Sequence, residues 1–248
     1  MDAMYYYIYD EIVQEKRFEK ELIALENRLA DLGITGRVAR LALFRNAHEL
    51  ITDELRRGTI TTIVAVGDDS TIHKVIDAVS EYDVAFGILP LGEENALATM
   101  LGIPEGVEGV DVLSARNIQQ IDVGRLNGRR FMTRVQFPED KGTLSCGDAF
   151  TVTSKGFGTI EVFNLPLIDA AIDPTDGILD AVVDVQVRRG VLRRPKQSRS
   201  KFEGRHFTVT YPDPVMVLMD GKEVRGKRFE IEVEPKALKI IAGKERVF

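Results

Sequence analysis

The chain has 248 residues and a net charge of −6, and its length suits one large domain or two small ones. Hydrophobic residues make up 44% and charged residues 29%, which excludes a disordered chain, a collagen-like repeat and a coiled-coil rod. The acidic balance argues against nucleic acid as the main partner, because a nucleic-acid-binding surface needs an excess of Lys and Arg.

Residues 1–118 alternate predicted strands and helices. An aromatic run at 5–9 is typical of a buried strand, and apolar residues spaced by three and four positions predict a helix over 15–32 that ends at Gly33. Strands separated by helices of this length form parallel βαβ units, so we expect a Rossmann-like open parallel α/β domain. The further elements are predicted at 37–44, 46–57, 61–66, 71–80, 84–89 and in a short helix ending at 101.

Beyond residue 118 the pattern changes to short β-like runs without a convincing helix. Asn127-Gly128, the strongest short hairpin signal, lies between runs at 119–123 and 130–137. We therefore predict a second, all-β sandwich domain over residues 119–248. Its other runs are at 149–153, 159–163, 179–187, 206–211, 215–219 and 229–233.

A basic stretch lies between Arg188 and Arg205 and contains eight Lys and Arg residues against one acid, Glu203. The simpler interpretation is a solvated loop between strands. The alternative is contact with a lipid or anionic membrane surface, where each basic residue contributes about 1 kcal/mol. A homodimer is a second partner compatible with the sequence.

Nothing in the sequence predicts export or membrane insertion. No apolar run reaches the roughly 18 residues that a membrane span needs, and the N-terminus lacks the features of a signal peptide. The single cysteine, Cys146, excludes an internal disulfide framework and a cysteine-rich zinc site. We expect a cytoplasmic protein, attached to the membrane periphery if the basic stretch binds lipid.

Two loops follow predicted strands of the α/β domain, which is where ligands bind in open sheets. They are VGDDST at 66–71 and LPLGEEN at 89–95. Small residues and free backbone N–H groups at a helix N-terminus favour phosphate, whereas two carboxylates in the same turn oppose it. Taken alone, the first loop is explained equally well as a turn capped by Asp69 or Ser70.

Together, the two loops and their surroundings resemble a known family. The stretches VAVGDDSTIHKVIDAV and FGILPLGEENALATMLGIP are similar to the catalytic domain of the diacylglycerol kinase and bacterial lipid kinase family, whose loops read GGDGT and PLGTGND. Downstream, IDVGRLNGRRF resembles the family's first β hairpin, DGILD its DGxLD motif, and MDGKE with EPKAL its DGE motif and closing strand. NAD kinases and phosphofructokinases share only the first element, so the later motifs favour the lipid-kinase branch.

The resemblance implies an NAD kinase/diacylglycerol kinase-like fold, with a nucleotide domain and a β-sandwich that is shortened here. It implies ATP and Mg²⁺ as cofactors. The metal would be held by Asp173 and Asp176 and by the backbone of Ile178, and Glu223 would have to serve as the base. The residues that would line the nucleotide are Gly67, Asp68, Asp69, Ser70, Thr71, Gly92 and Asn95.

The chain departs from the family pattern in both loops. Asp68 and Ser70 replace glycines, and Glu93, Glu94 and Ala96 replace Thr, Gly and Asp. Asp68, Glu93 and Glu94 thus place three carboxylates at positions where the family has none. Because like charges at 4 Å repel by on the order of 4 kcal/mol at an effective dielectric of 20, we expect nucleotide binding to be weakened.

Two further departures affect the nucleotide cover and the base. The segment YDEIVQ at 9–14 replaces the family's NPxSG-type loop. Lys222 stands at the family's base position, where a protonated ammonium cannot accept a proton at pH 7. Glu223 follows it, but successive side chains of a strand point to opposite faces.

These departures leave the activity open. The interpretation that the residues favour is a non-catalytic or weakly active relative that keeps the fold for binding or regulation. The alternative is an active ATP-dependent kinase that phosphorylates a lipid hydroxyl. A third interpretation is a kinase with another phosphoryl donor or a small soluble acceptor.

Overall fold

The structure is a computed structural model that describes residues 4–41, 47–93, 95–139, 141–147, 149–153, 158–165, 172–187 and 196–248. The chain divides into two compact units. The first comprises Met1–Ile121 and Ala237–Val247, and the second comprises Asp122–Lys236 with Phe248. Within the described ranges, no helix is long and apolar enough to cross a membrane.

The first unit is an open α/β sheet. Its strands lie in the order β2-β1-β3-β4, all parallel, and the end of β14 (Lys222–Ile241) adds a parallel strand beside β4. This confirms the predicted parallel sheet. The elements are β1 (Tyr5–Tyr9), α1 (Glu19–Asp31), β2 (Gly36–Arg40), α2 (Ala47–Leu55), β3 (Thr62–Gly67), α3 (Asp69–Val79), β4 (Ala85–Pro90), α4 (Ala96–Met100) and α5 (Val107–Ala115), with 3₁₀ turns at Glu11–Gln14 and Lys16–Phe18.

The strand β1 is an inner strand, paired with β2 on one side and β3 on the other. All five of its side chains are buried. The hydroxyl of Tyr7 donates to the Ile34 carbonyl at 2.5 Å, and that of Tyr9 donates to Glu26 at 3.2 Å. Burial is the main reason that the pKa of both hydroxyls is raised. Aromatic side chains thus fill both faces of the strand, which is buried as predicted.

Several element boundaries differ from the prediction. The helix α1 begins at Glu19, because residues 11–18 form the two 3₁₀ turns. The helix α5 was not predicted, because it is short and contains Gly109. The second strand is described only as far as Arg40, and the predicted start of the next helix at residue 46 lies outside the described residues.

The second unit is antiparallel and has a strongly apolar core, which confirms the predicted all-β fold. Its main strand order is β12-β11-β10-β7-β13-β14, while β8 pairs with β13 and β9, and β5 pairs with β6. Four fully buried phenylalanines, Phe131, Phe163, Phe207 and Phe229, are among its largest core side chains. The strands are β5 (Ile118–Leu126), β6 (Arg129–Phe131), β7 (Arg134–Phe137), β8 (Thr143–Cys146), β9 (Phe150–Thr153), β10 (Gly158–Phe163), β11 (Leu179–Val187), β12 (Lys196–Gly204), β13 (His206–Met219) and β14.

Two tight hairpin turns organise this unit. Asn127 and Gly128 both have positive φ, 48° and 82°, as the predicted β5–β6 turn requires. Asp220 and Gly221 adopt the same combination, 48° and 76°, between β13 and β14. The runs predicted at 206–211 and 215–219 form one strand, β13, with a register shift between Thr210 and Val215.

The solvated-loop interpretation of the basic stretch is wrong for residues 196–204, which form the edge strand β12. This strand pairs with β11 in antiparallel register. Arg199 binds Asp184 at 2.8 Å, and Lys201 binds Asp180 at 3.0 Å. The charges therefore occupy an edge strand, where Lys and Arg are common and oppose pairing with other chains. Residues 188–195 lie outside the described part.

Candidate functional site

The two loops predicted to bind nucleotide meet at the carboxyl ends of β3 and β4. The backbone N–H of Leu91 donates to the carbonyl of Gly67 at 3.0 Å. A Cβ on Gly92 would lie 3.0 Å from the Cβ of Asp68. The first unit therefore brings the predicted nucleotide residues together at one edge of its sheet.

Glycine is required in both loops. Gly67 has φ of +154°, and a Cβ there would collide with the hydroxyl of Thr71. Gly92 has φ of +138°, a region that other residues rarely adopt. These glycines keep the two loops in close contact.

The carboxylate of Asp68 caps α3. It accepts hydrogen bonds from the backbone N–H of Thr71 at 3.1 Å and from the Thr71 hydroxyl at 3.3 Å. The prediction of Asp69 or Ser70 as the cap is therefore wrong: α3 begins at Asp69, and Asp68 has the extended backbone of an N-cap. Ser70 is exposed in the first turn of the helix.

The carboxylate of Asp69 reaches the second loop. It accepts hydrogen bonds from the backbone N–H of Ala96 at 3.0 Å and of Leu97 at 3.1 Å, at the start of α4. Burial raises the pKa of Asp69, and these hydrogen bonds offset the rise only in part. Adjacent aspartates thus hold the N-termini of two helices.

The side chains of the second loop are also engaged. Asn95 is only 9% exposed, and its Nδ2 donates to the Gly92 carbonyl and to Glu105, both at 3.0 Å. Glu93 is exposed and accepts a hydrogen bond from Arg17 at 2.5 Å. Glu94 lies outside the described residues.

The segment that replaces the family's nucleotide cover is packed into the first unit. Asp10 is buried, accepts from the N–H of Ile12 at 3.3 Å, and binds the ammonium of Lys74 at 2.7 Å. Burial raises the pKa of Asp10, but the hydrogen bond and charge of Lys74 help to lower it below its ordinary value. Sequence reasoning missed this pair, because its members are 64 positions apart.

In the second unit, the predicted metal ligands lie in one turn between β10 and β11. The carboxylate of Asp173 accepts from the N–H and hydroxyl of Thr175, at 2.9 and 2.7 Å, and Asp176 accepts from the N–H of Ile178 at 2.8 Å. Burial, followed by the charge of Asp173, contributes to a raised pKa at Asp176. Both carboxylates are exposed.

This turn is held by a buried carboxylate that the sequence analysis did not single out. Asp122 is fully buried and accepts from the N–H of Gly177 at 2.6 Å and of Lys236 at 2.7 Å. Its own N–H donates to the Pro174 carbonyl at 2.7 Å. An acid within the apolar strand β5 was the available signal, because a buried charge needs hydrogen-bond partners.

The described residues contain no cluster of three or more His, Cys, Asp or Glu side chains suited to a metal ion. Two carboxylates and a backbone carbonyl are oxygen donors of the kind that Mg²⁺ prefers. The assignment of Asp173, Asp176 and Ile178 as metal ligands stays a prediction.

The DGE-like segment is a structural turn. The carboxylate of Asp220 accepts from the backbone N–H groups of Met132, Thr133 and Arg134 at 2.7, 2.9 and 3.1 Å, and from the Thr133 hydroxyl. Lys222 and Glu223 begin β14, and both are exposed. The role of Glu223 as a base stays a prediction.

Known proteins resemble this chain both in the sequence around the two loops and in the fold. The family model of the diacylglycerol kinase catalytic domain matches residues 5–126. Residues 5–126, just under half of the chain, are thus similar to the diacylglycerol kinase catalytic domain. This confirms the resemblance of this diacylglycerol kinase-like chain over residues 5–126, which include both loops and β5.

Two curated relatives and one solved structure are similar to the diacylglycerol kinase-like chain. Proteins from Salmonella arizonae and Salmonella heidelberg, both called "Probable lipid kinase YegS", are 35% identical over 106 residues, which is 41% of this chain and 35% of theirs. The chain thus matches about a third of the length of these relatives. A crystal structure of a diacylglycerol kinase from Bacillus anthracis str. Sterne has a TM-score of 0.80 at 14% identity, covering 98% of this chain and 97% of that one. The last similarity shows the fold.

Proposed function

We propose that this diacylglycerol kinase-like protein has lost most or all phosphoryl transfer and keeps the fold as a binding or regulatory module. One observation supports the proposal: Asp68 accepts from the N–H of Thr71 in the first turn of α3, and Asp69 accepts from the N–H groups of Ala96 and Leu97 at the start of α4.

Electrostatic repulsion opposes the binding of a nucleotide at these two loops. A phosphate binds a helix N-terminus through free backbone N–H groups and the positive end of the helix dipole. One such N–H of α3 and two of α4 already donate to carboxylates, and an incoming phosphate would also meet like charges. Repulsion on the order of 4 kcal/mol for a pair at 4 Å corresponds to nearly a thousandfold in affinity. The first loop therefore does not fit the triphosphate of ATP.

The second unit supplies less to the reaction than the family pattern requires. When bound, Mg²⁺ would neutralise phosphate charge, and Asp173, Asp176 and Ile178 would hold it. Lys222 has a protonated ammonium where the family keeps a base. Restoring a carboxylate there by Lys222→Glu leaves the loops unchanged, so we expect no phosphate transfer to diacylglycerol from that variant.

Calorimetric titration with Mg-ATP and Mg-ADP tests the proposal. We expect no binding in the micromolar range by the unmodified protein, and tighter binding by the triple variant Asp68→Gly, Glu93→Thr, Glu94→Gly. A control with the same change in net charge, Glu19→Gln, Glu21→Gln, Asp31→Asn on α1, should not bind more tightly. Micromolar binding of Mg-ATP by the unmodified protein would contradict the proposal.

The second candidate is an active ATP-dependent lipid kinase. It is favoured by the glycines at 67 and 92, which match the family's loops and have the positive φ that glycine adopts easily. Transfer of radioactive phosphate from ATP to diacylglycerol in detergent micelles by the unmodified protein would establish it.

A further inference from the structure

A cavity of about 910 Å³ lies in the first unit, between α4, α5 and the C-terminal segment 242–247. Its volume falls within the range of about 300–1,000 Å³ that is typical of small-molecule sites. Of the residues assigned above to nucleotide, metal or base, Asn95 alone lines this cavity. The cavity therefore offers room for a separate ligand.

Apolar side chains form much of the wall. They come from the α4–α5 connection, from one face of α5 and from the C-terminal segment, so a flat or branched hydrocarbon group would contact carbon on several sides. These residues are Ile103, Pro104, Val112, Ala115, Ala242 and Val247.

The charged groups around the cavity are mostly acidic, with Lys244 as the lining cation. Asp111 is neutralised by Arg28, whose Nη2 lies 2.6 Å from its Oδ1, and Glu105 accepts from Asn95. Glu108 and Glu245 also line the cavity, and both are exposed. The excess of carboxylates favours a positively charged ligand and disfavours an anion.

A buried polar atom belongs to the same cavity lining. Asn95 is only 9% exposed, and its Oδ1 has no hydrogen-bond partner within the described ranges. Its Nδ2 donates to two acceptors, the Gly92 carbonyl and Glu105, and this fixes the orientation of the amide. Because Oδ1 is closed to solvent, it does not contact a ligand in the cavity, and the choice of ligand rests on the carboxylates and the apolar wall.

We propose that this cavity binds an organic ammonium ion, a primary amine attached to an apolar group. The apolar wall would cover the hydrocarbon, while Glu108 and Glu245 would pair with the ammonium. A phosphate-bearing molecule would meet the same carboxylates as a like charge. The proposal does not depend on the function proposed above, because it involves neither loop carboxylate and no nucleotide.

The test compares 2-phenylethylamine with 2-phenylethanol, which has the same hydrocarbon and no charge. Calorimetric titration of the full chain at low salt should show the amine binding at least about tenfold more tightly than the alcohol. The double variant Glu108→Gln, Glu245→Gln should lose that preference. The control Glu19→Gln, Glu21→Gln, which removes two carboxylates from α1, should retain it.

A second variant tests the location. Ala115→Trp places an indole at the exposed end of α5 and should abolish binding of both ligands, with circular dichroism confirming that the protein is folded. Val112→Phe provides an independent block if Ala115→Trp does not fold. Equal affinity for amine and alcohol, an unchanged preference in the double glutamine variant, or no binding at millimolar ligand would overturn the proposal.

Discussion

The N-cap of α3 illustrates how one residue can stabilise the protein and oppose a ligand. Asp68→Ala removes both hydrogen bonds to Thr71, so we expect the free energy of unfolding to fall by about 1 kcal/mol. Asp68→Asn keeps a capping side chain and should lose less. Urea unfolding monitored by circular dichroism measures both changes. If the two variants were equally stable, the cap would not be the source of the stabilisation.

The ion pair between the buried Asp10 and the more exposed Lys74 predicts a dependence of stability on pH. The pKa of Asp10 lies below its ordinary value of 3.8, because hydrogen bonds and the charge of Lys74 outweigh burial. The contribution of this ion pair to the free energy of unfolding is therefore fully present above pH 3.8. It is lost as the pH falls through the lower pKa of Asp10 in the folded protein.

The variant Asp10→Asn cannot titrate at this position. We expect it to be less stable than the unmodified protein at pH 7, with the difference shrinking as the pH falls below 3.8. Urea unfolding of both proteins, from pH 7 to below pH 3.8, measures this difference in stability. A difference that stays constant with pH would show that the charge of Asp10 makes no contribution.

At the scale of residues, the sequence predicts where a side chain lies in the fold better than it predicts the groups that the side chain contacts. The strand–loop–helix pattern was enough to predict that the loops at 67–71 and 92–95 lie together. It could not predict that Asp68 caps its own helix while Asp69 caps α4, because the two carboxylates are adjacent and only the backbone path separates their directions. The role of Asp122 depends on Gly177 and Lys236, which are distant in sequence.

At the scale of elements, a helix, strand or turn is predicted well when it depends on neighbouring residues. An element that depends on pairing with a distant strand is not. The apolar period of α1, the aromatic run of β1 and the Asn127-Gly128 turn each depend on neighbouring residues, and all three are confirmed. The strand β12 was missed because its charged sequence is typical of a loop. Only pairing with β11 supplies the partners that make it a strand.

The β11–β12 ion pairs should contribute little individually. Asp184 and Arg199 lie on opposite positions of the two strands, and the arginine is 59% exposed. A double-mutant cycle with Asp184→Ala and Arg199→Ala should give a coupling of about 0.2–1 kcal/mol.

The pair of Asp53 and Arg56 is a matched control for this cycle. It is more exposed and has a longer separation of 3.9 Å, so its coupling should be close to zero. Equal coupling in the two pairs would mean that the register of the strands adds nothing to the β11–β12 pair.

At the scale of the whole molecule, the basic stretch between Arg188 and Arg205 predicts weak, salt-sensitive binding to anionic vesicles. Arg199 and Lys201 are paired with carboxylates, which reduces the charge available to lipid. Each free basic residue near the surface contributes about 1 kcal/mol, and at 0.15 M salt screening acts over about 8 Å.

Co-sedimentation with phosphatidylserine vesicles at low and high salt measures this binding. We expect recovery at low salt, a steep loss at high salt, and little binding to phosphatidylcholine vesicles. The variant with Arg188, Arg189, Arg193 and Arg194 changed to Gln should not sediment. Equal recovery with neutral and anionic vesicles would exclude an electrostatic contact.

The path of β14 has a consequence for how the chain folds as it is made. Its last residues pair with β4, Lys239 beside Ala85 and Ile240 beside Phe86, and residues 237–247 complete the first unit. The first 121 residues leave the ribosome before that strand exists, and at about 5–20 residues per second the delay is on the order of ten seconds. During this time the edge of β4 is open to other chains. The first unit is therefore complete only once residues 237–247 have been made, so a chaperone that shields strand edges would act on it until then.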